Sequence, residues 1–188
     1  MSIGQPRGAV HGDVTDRILD AARRLVLRMG ARKLALSDVA NLAGVSRPTI
    51  YRYFASKDDL IDALGKQEYR RFKAAMDGAM SGVTGVRRLE AAVDVVATFV
   101  EGQPPGRLID LEPGFAQDQM AQALPMITDG LLGVLQQCAR EDRMPTSTAP
   151  PDLAAAIART ALSHYMFPDA DQAAARRQIR AAAGLPAQ

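Results

Sequence analysis

Apolar residues recur every three to four positions along nearly the whole chain, the spacing of amphipathic helices. No alternating β-branched segment bounded by turn residues interrupts them, and no Asn-Gly or Asp-Gly hairpin is found. With alanine abundant, the pattern predicts an all-α protein. The first stripe is Ile18, Ala22, Leu25, Val26 and Met29, closed by Gly30. Thr15 is its expected N-cap, with Val14 and Leu19 at staple positions. Residues 1–14 are small, polar and Gly-containing. They are read as a flexible arm carrying one cation, Arg7, for which a plain tail is favoured over minor-groove insertion.

Ser37 is the expected N-cap of a short helix built on Val39, Ala40, Leu42 and Ala43, with Asp38 well placed in its first turn. Gly44 suits the position after it, where a left-handed backbone is easy only for glycine. Val45 is a buried spacer. Ser46 caps the next short helix, residues 47–54, and Pro48 fits its first turn. Ser56 caps a fourth, with Leu60, Ile61, Leu64, Phe72, Met76 and Met80 on one face, broken by Gly82 and Gly85. Further helices are expected over residues 86–101, 125–143, 152–165 and 169–183. Residues 103–106 are a stop, 107–124 are ambiguous around Pro113-Gly114, and 144–151 form a loop.

Composition narrows the classes. A single cysteine among 188 residues excludes an internal disulfide framework and a zinc finger, and two histidines are too few for a histidine-rich metal site. No apolar run reaches the roughly 18 residues of a membrane span, and the first fifteen residues lack a signal-peptide core. The expectation is a soluble, cytoplasmic protein. Residues 1–60 hold ten Lys/Arg against six Asp/Glu, a balance of +4; residues 61–188 hold thirteen against fifteen, −2. A basic head on a mildly acidic body points toward a polyanion partner.

Residues 36–64 carry the chemistry: two short helices joined by Gly-Val-Ser, then a longer one. Val45, Ile50 and Phe54 share the inner face of the second short helix, which leaves Arg47, Pro48, Thr49, Tyr51 and Arg52 outward. Such a set suits a helix-turn-helix whose second helix enters the DNA major groove. Arg bonds guanine O6 and N7 bidentately, Thr or Pro touches a thymine methyl, and Tyr51 reaches a phosphate or sugar. Lys57 in a first helical turn opposes the helix dipole, and the same place would hold a phosphate. Arg32 and Lys33 are equally phosphate contacts or solvated charges. A hairpin used only for packing is the plainer alternative.

The stretch Leu36-Ser-Asp-Val-Ala-Asn-Leu-Ala-Gly-Val-Ser-Arg-Pro-Thr-Ile-Tyr-Arg-Tyr-Phe-Ala-Ser-Lys-Asp-Asp-Leu-Ile61 makes residues 15–64 closely resemble the DNA-binding region of the TetR family of bacterial transcriptional regulators. The resemblance implies a helix-turn-helix domain over residues 15–63 and a helical ligand-binding and dimerisation domain over 64–188. It implies Ser37, Ser46, Arg47, Pro48, Thr49, Tyr51, Arg52, Tyr53 and Lys57 as DNA-binding residues on a pseudo-palindromic duplex operator. A homodimer through the last two helices and a small-molecule effector complete the expectation.

Phe72, Met76, Phe99, Phe115, Met120, Leu124, Ile127, Leu131 and Tyr165 are the candidate effector walls, with Glu112, Gln119 and His164 as polar anchors and residues 103–125 as a mobile gate. These walls favour an uncharged or amphipathic hydrophobic effector. Cys138 is read as buried and inert rather than as a redox switch. Ser163, His164 and Tyr165 are helical neighbours pointing to different faces, so no hydrolase site is expected. No phosphate loop, metal cluster or nucleophile-base pair is present in the sequence, and neither enzyme activity nor a cofactor is expected. The function expected is a repressor released by its effector. The alternatives are an activator or a regulator without an effector, and, further off, an enzyme using the C-terminal cavity.

Overall fold

The computed structural model describes residues 7–101, 113–141, 144, 146–167, 169, 171 and 173–186, with side chains from residue 13 onward. Among the described residues there are eight α-helices and no strand: α1 Arg7–Met29, α2 Leu36–Ala43, α3 Arg47–Tyr53, α4 Lys57–Ala79, α5 Gly85–Glu101, α6 Pro113–Glu141, α7 Pro150–Met166 and α8 Ala174–Ala182. None is long and apolar enough to cross a membrane. Two compact units divide the chain, Met1–Arg70 and Arg71–Gln188, and the division falls inside α4.

In the first unit the apolar stripe of α1 is buried at Ile18, Leu19, Ala22, Leu25 and Val26, and α1 packs on α2. Val39 and Ala40 of α2 and Ile50 of α3 are fully buried. Gln67 Nε2 of α4 donates to Asp16 Oδ1 of α1 at 3.0 Å, and Arg23 pairs with Glu68 at 3.4 Å. A reciprocal capping box opens α4: Asp59 N–H donates to Ser56 Oγ at 3.1 Å, and Ser56 N–H donates to Asp59 Oδ2 at 3.0 Å.

Two expected caps are corrected. α1 already runs from Arg7, so Thr15 lies inside it and only residues 1–6 of the expected arm fall outside the described residues. No proline interrupts residues 7–15, and extending a formed helix costs far less than nucleating one. α2 begins at Leu36, with Ala35 at the N-cap position and no side-chain cap; Ser37 is within the first turn. Burial of Leu36 draws the backbone into the helix one residue early, and the Ala35 carbonyl accepts from Asp38 N–H and Val39 N–H.

The second unit encloses one core. Leu89, Val93 and Val96 of α5 meet Leu131 and Leu135 of α6, Leu153, Ile157 and Ala161 of α7, and Ile179 of α8. Cys138 is buried here, as expected, and its Sγ lies 3.1 Å from the Gly85 carbonyl oxygen, which it faces as donor. Burial pushes its thiol pKa up. Gly85 N–H, at the start of α5, donates to Glu141 Oε2 at 2.8 Å, which holds that carboxylate below its ordinary range.

Three element boundaries differ from expectation. Pro113 opens α6 and Pro125 lies within it, where a stop and a new start were expected. Proline fits a first helical turn, and inside the helix Pro125 has no N–H to donate to the carbonyl of Ala121, an exposed residue. Beside it, Thr128 Oγ1 donates to the Leu124 carbonyl at 2.7 Å. Pro150 opens α7 two residues ahead of Asp152. α8 starts at Ala174 rather than 169, because the Asp169 and Asp171 carboxylates accept from the N–H groups of Asp171 and Ala173 and turn the chain first.

Candidate nucleic-acid interface

The turn between α2 and α3 is built from local rules. Gly44 closes α2 at φ 65° and ψ 39°, a left-handed conformation. Its N–H donates to the Asn41 carbonyl at 3.2 Å, and Val45 N–H donates to the Ala40 carbonyl at 2.9 Å. Ser46 then caps α3, as expected: its Oγ accepts from Thr49 N–H at 3.2 Å and shares a 2.7 Å hydrogen bond with the Thr49 hydroxyl. Pro48 sits in the first turn. Val45 is half-buried rather than buried.

α3 is anchored from one side. Ile50 is fully buried and Phe54, just past the helix, is buried too. Arg47, Pro48 and Arg52 are exposed, Thr49 is half-buried, and Tyr51 keeps 57% of its surface in solvent. Tyr51 thus stands exposed on α3 beside the exposed Arg47 and Arg52. The Arg52 guanidinium lies 5.5 Å from the centroid of the half-buried Tyr53 ring, which limits its swing. The structure thus places Arg47, Pro48, Tyr51 and Arg52 on the exposed side of α3, with Ser46 and Thr49 at its capped start. Ser37 is half-buried on α2.

Lys57 is half-buried in the first turn of α4. Its ammonium group donates to the Ala31 and Arg32 carbonyls, each at 3.4 Å, across the turn that precedes α2. Arg32 and Lys33 in that turn are exposed. One residue that sequence reasoning missed is Arg17 of α1, whose guanidinium reaches the Ala43 and Gly44 carbonyls. That contact spans 26 residues and leaves no local signature.

Of the nine expected effector walls, Phe72, Met76, Phe99, Leu124, Ile127 and Leu131 belong to the core cluster of the second unit or pack against it. Phe72 and Phe99 meet edge to face at 5.4 Å. Phe115, Met120 and Tyr165 are half-buried and are not among its members. His164 Nε2 lies 3.2 Å from Gln178 Oε1. Gln119 is half-buried on α6; Glu112 lies outside the described residues. So does the expected gate up to residue 112, while residues 113–125 are helical. An open groove of about 440 Å³ between α4, α5 and α6 is lined by residues including Asp77, Met80, Arg88 and Gly133, none of them an expected wall. Among the described residues no cluster of His, Cys, Asp or Glu could hold a metal ion.

Residues 18–64 match the family model of bacterial regulatory proteins of the tetR family. The HTH-type transcriptional activator FasR of Mycolicibacterium smegmatis is 29% identical over 115 residues, 60% of this chain and 52% of the relative. The HTH-type transcriptional repressor KstR of Mycobacterium tuberculosis is 36% identical over 90 residues, 47% of this chain and 40% of the relative. The chain spans about half the length of the curated relatives it matches. A TetR-family regulator from Streptomyces coelicolor has the same fold, with a TM-score of 0.67 at 18% identity over 92% of this chain and 93% of that one.

Proposed function

From the premise that this chain is a TetR-family protein by residues 18–64, we propose that it is a sequence-specific DNA-binding regulator of transcription. The observation that carries the reading is α3 itself. Buried Ile50 fixes one face while Arg47, Pro48, Tyr51 and Arg52 are exposed on the other. Arg47 and Arg52 would read guanine edges, and Tyr51 and the Thr49 methyl would contact backbone or thymine. Ser37 on α2 and Tyr53 on α3, both half-buried, would add contacts to the duplex. Lys57, with two of its three donors on the Ala31 and Arg32 carbonyls, would offer the third to a phosphate, so its contribution is general attraction rather than base choice.

Two recognition helices about 34–36 Å apart would enter successive major grooves of a pseudo-palindromic operator, so the acting species is a homodimer. Leu153, Ile157 and Ile179 already belong to the chain's own core. The pairing surface is therefore what remains exposed on α7 and α8, beginning with Ala156 and Ser163 and ending at Phe167, which is 67% exposed. A small hydrophobic effector in the second unit would lower operator affinity by binding the DNA-incompetent state more tightly. Phe72, Phe99, Leu124 and Leu131, which pack in or against the core, would have to part to wall such a site, with Met76, Ile127, Phe115, Met120 and Tyr165 as further walls. Repression is the reading adopted, activation the alternative, and the cytoplasm the compartment that operator binding requires. The test is a gel shift on duplex DNA flanking the protein's own gene across a salt series. Retardation of one duplex over a scrambled control, weakening steeply with salt, supports the reading. Equal or absent binding contradicts it.

A further inference from the structure

Arg17 is an exposed residue of α1, yet its guanidinium is spent on the end of α2. One nitrogen, Nη2, donates to the Ala43 carbonyl at 2.6 Å and to the Gly44 carbonyl at 3.2 Å. The last carbonyls of a helix have no partner further along it, and these two flank the point where α2 stops. A cation is the favoured partner there, because the helix dipole leaves the C-terminus negative. The turn is also closed from its own side by Gly44 N–H and Val45 N–H, bonded back to Asn41 and Ala40. Gly44 and Arg17 fit each other closely: a Cβ at position 44 would stand 3.1 Å from Arg17 Nη2.

We propose that Arg17 is a positioning residue for DNA recognition: it clamps the end of α2 to α1 and so fixes the direction in which Ser46 launches α3. The proposal rests on the reading of α3 as the recognition helix. α3 is short, Arg47–Tyr53, and only Ile50 within it is buried. Its orientation therefore depends on what holds its two ends, and the α2 side is held through this turn. Both hydrogens of a single guanidinium nitrogen are used on successive carbonyls, a planar arrangement that an ammonium group on a flexible stem reproduces poorly. Nη1 and Nε take no part in this pair of bonds, so the salt slope is what separates a clamp from a phosphate contact.

The experiment uses the full chain as wild type, Arg17→Met and Arg17→Lys, with three readouts. Amide exchange of Val45 in the absence of DNA reports the turn, and duplex affinity and its salt slope report recognition. Arg17→Met should speed Val45 exchange several-fold, leave the amides of Leu60 and Leu64 unchanged, and weaken duplex binding about tenfold. The slope of log affinity against log salt should stay as in wild type, because no phosphate contact is lost. Arg17→Lys should recover part of both losses. A slope shallower by about one with unchanged Val45 exchange would make Arg17 a phosphate contact and overturn the proposal. Unchanged exchange and affinity would overturn it equally. Wild-type protein that binds no duplex would refute the DNA reading alone, and Val45 exchange would still decide whether Arg17 closes the turn.

Discussion

Arg180, fully buried on α8, donates through Nη1 to Asp94 Oδ1 of α5 at 3.0 Å. Its Nε donates to the Pro186 carbonyl at 2.9 Å, and its Nη2 lies 3.7 Å from Glu90 Oε1 without a hydrogen-bond partner. One turn earlier, Arg176 pairs with the same Asp94 and with Glu101. Acidic positions along one face of α5 thus meet two arginines four residues apart on α8. The registry of these helices is set by charge as well as by the apolar contacts of Ile179.

Removing Asp94 leaves a buried guanidinium without its main counter-charge, so Asp94→Ala should destabilise the protein by about 2–3 kcal/mol in urea unfolding. Arg180→Met should cost less, because Asp94 keeps Arg176 as a partner. The exposed pair Lys73–Asp77 is the control: Lys73→Ala should stay within about 0.5 kcal/mol. Equal losses for all three variants would mean that the α5–α8 ion pairs do not set this registry.

Glu141 should make the second unit acid-sensitive. The Gly85 N–H at the head of α5 holds its pKa below the ordinary carboxylate value, so its stabilising contribution is complete above that value. As pH falls through the lower folded value, the contribution disappears. Glu141→Gln should lower the melting temperature at neutral pH and converge with wild type on the acid side. A difference independent of pH would show that the charge does not carry the effect, since the glutamine amide oxygen still accepts from Gly85 N–H.

Cys138 should be silent while the protein is folded. Its burial, and the upward shift of its thiol that burial causes, keep the reactive thiolate scarce. Reaction with an aromatic disulfide reagent should follow unfolding as denaturant rises; prompt reaction of the native protein would contradict the burial.

Much of the interface was legible because its signals are local. Gly44, Ser46, Pro48 and Ser56 each act within four residues, and each takes the role its chemistry predicts. The misplaced boundaries arise where tertiary burial or ambiguous chemistry outweighs a local cap. Leu36 is pulled into α2 ahead of Ser37, and Pro113 and Pro125 fit a helix start equally well in sequence, although only the first begins one. Arg17, and the Arg180 network between α5 and α8, depend on residues far apart in the chain, and no periodicity marks them.

The proposed dimer is tested by surface substitution, since truncating α7 and α8 would remove Leu153, Ile157 and Ile179 from the core. Ala156→Glu combined with Ser163→Glu places charge on the exposed side of α7. Light scattering should then give the mass of one chain, with the melting temperature close to wild type. A dimer that persists would move the pairing surface elsewhere.

The most direct measurement of the central claim compares wild type with the double variant Arg47→Ala, Arg52→Ala on the retarded flanking duplex, by fluorescence anisotropy across a salt series. If α3 reads DNA, the double variant loses roughly 2–6 kcal/mol on that duplex, about 1–3 for each base contact, while its residual affinity for a scrambled duplex falls far less. Circular dichroism of the two proteins should coincide. Equal affinity of both proteins for the flanking duplex would contradict the assignment of α3 as the recognition helix.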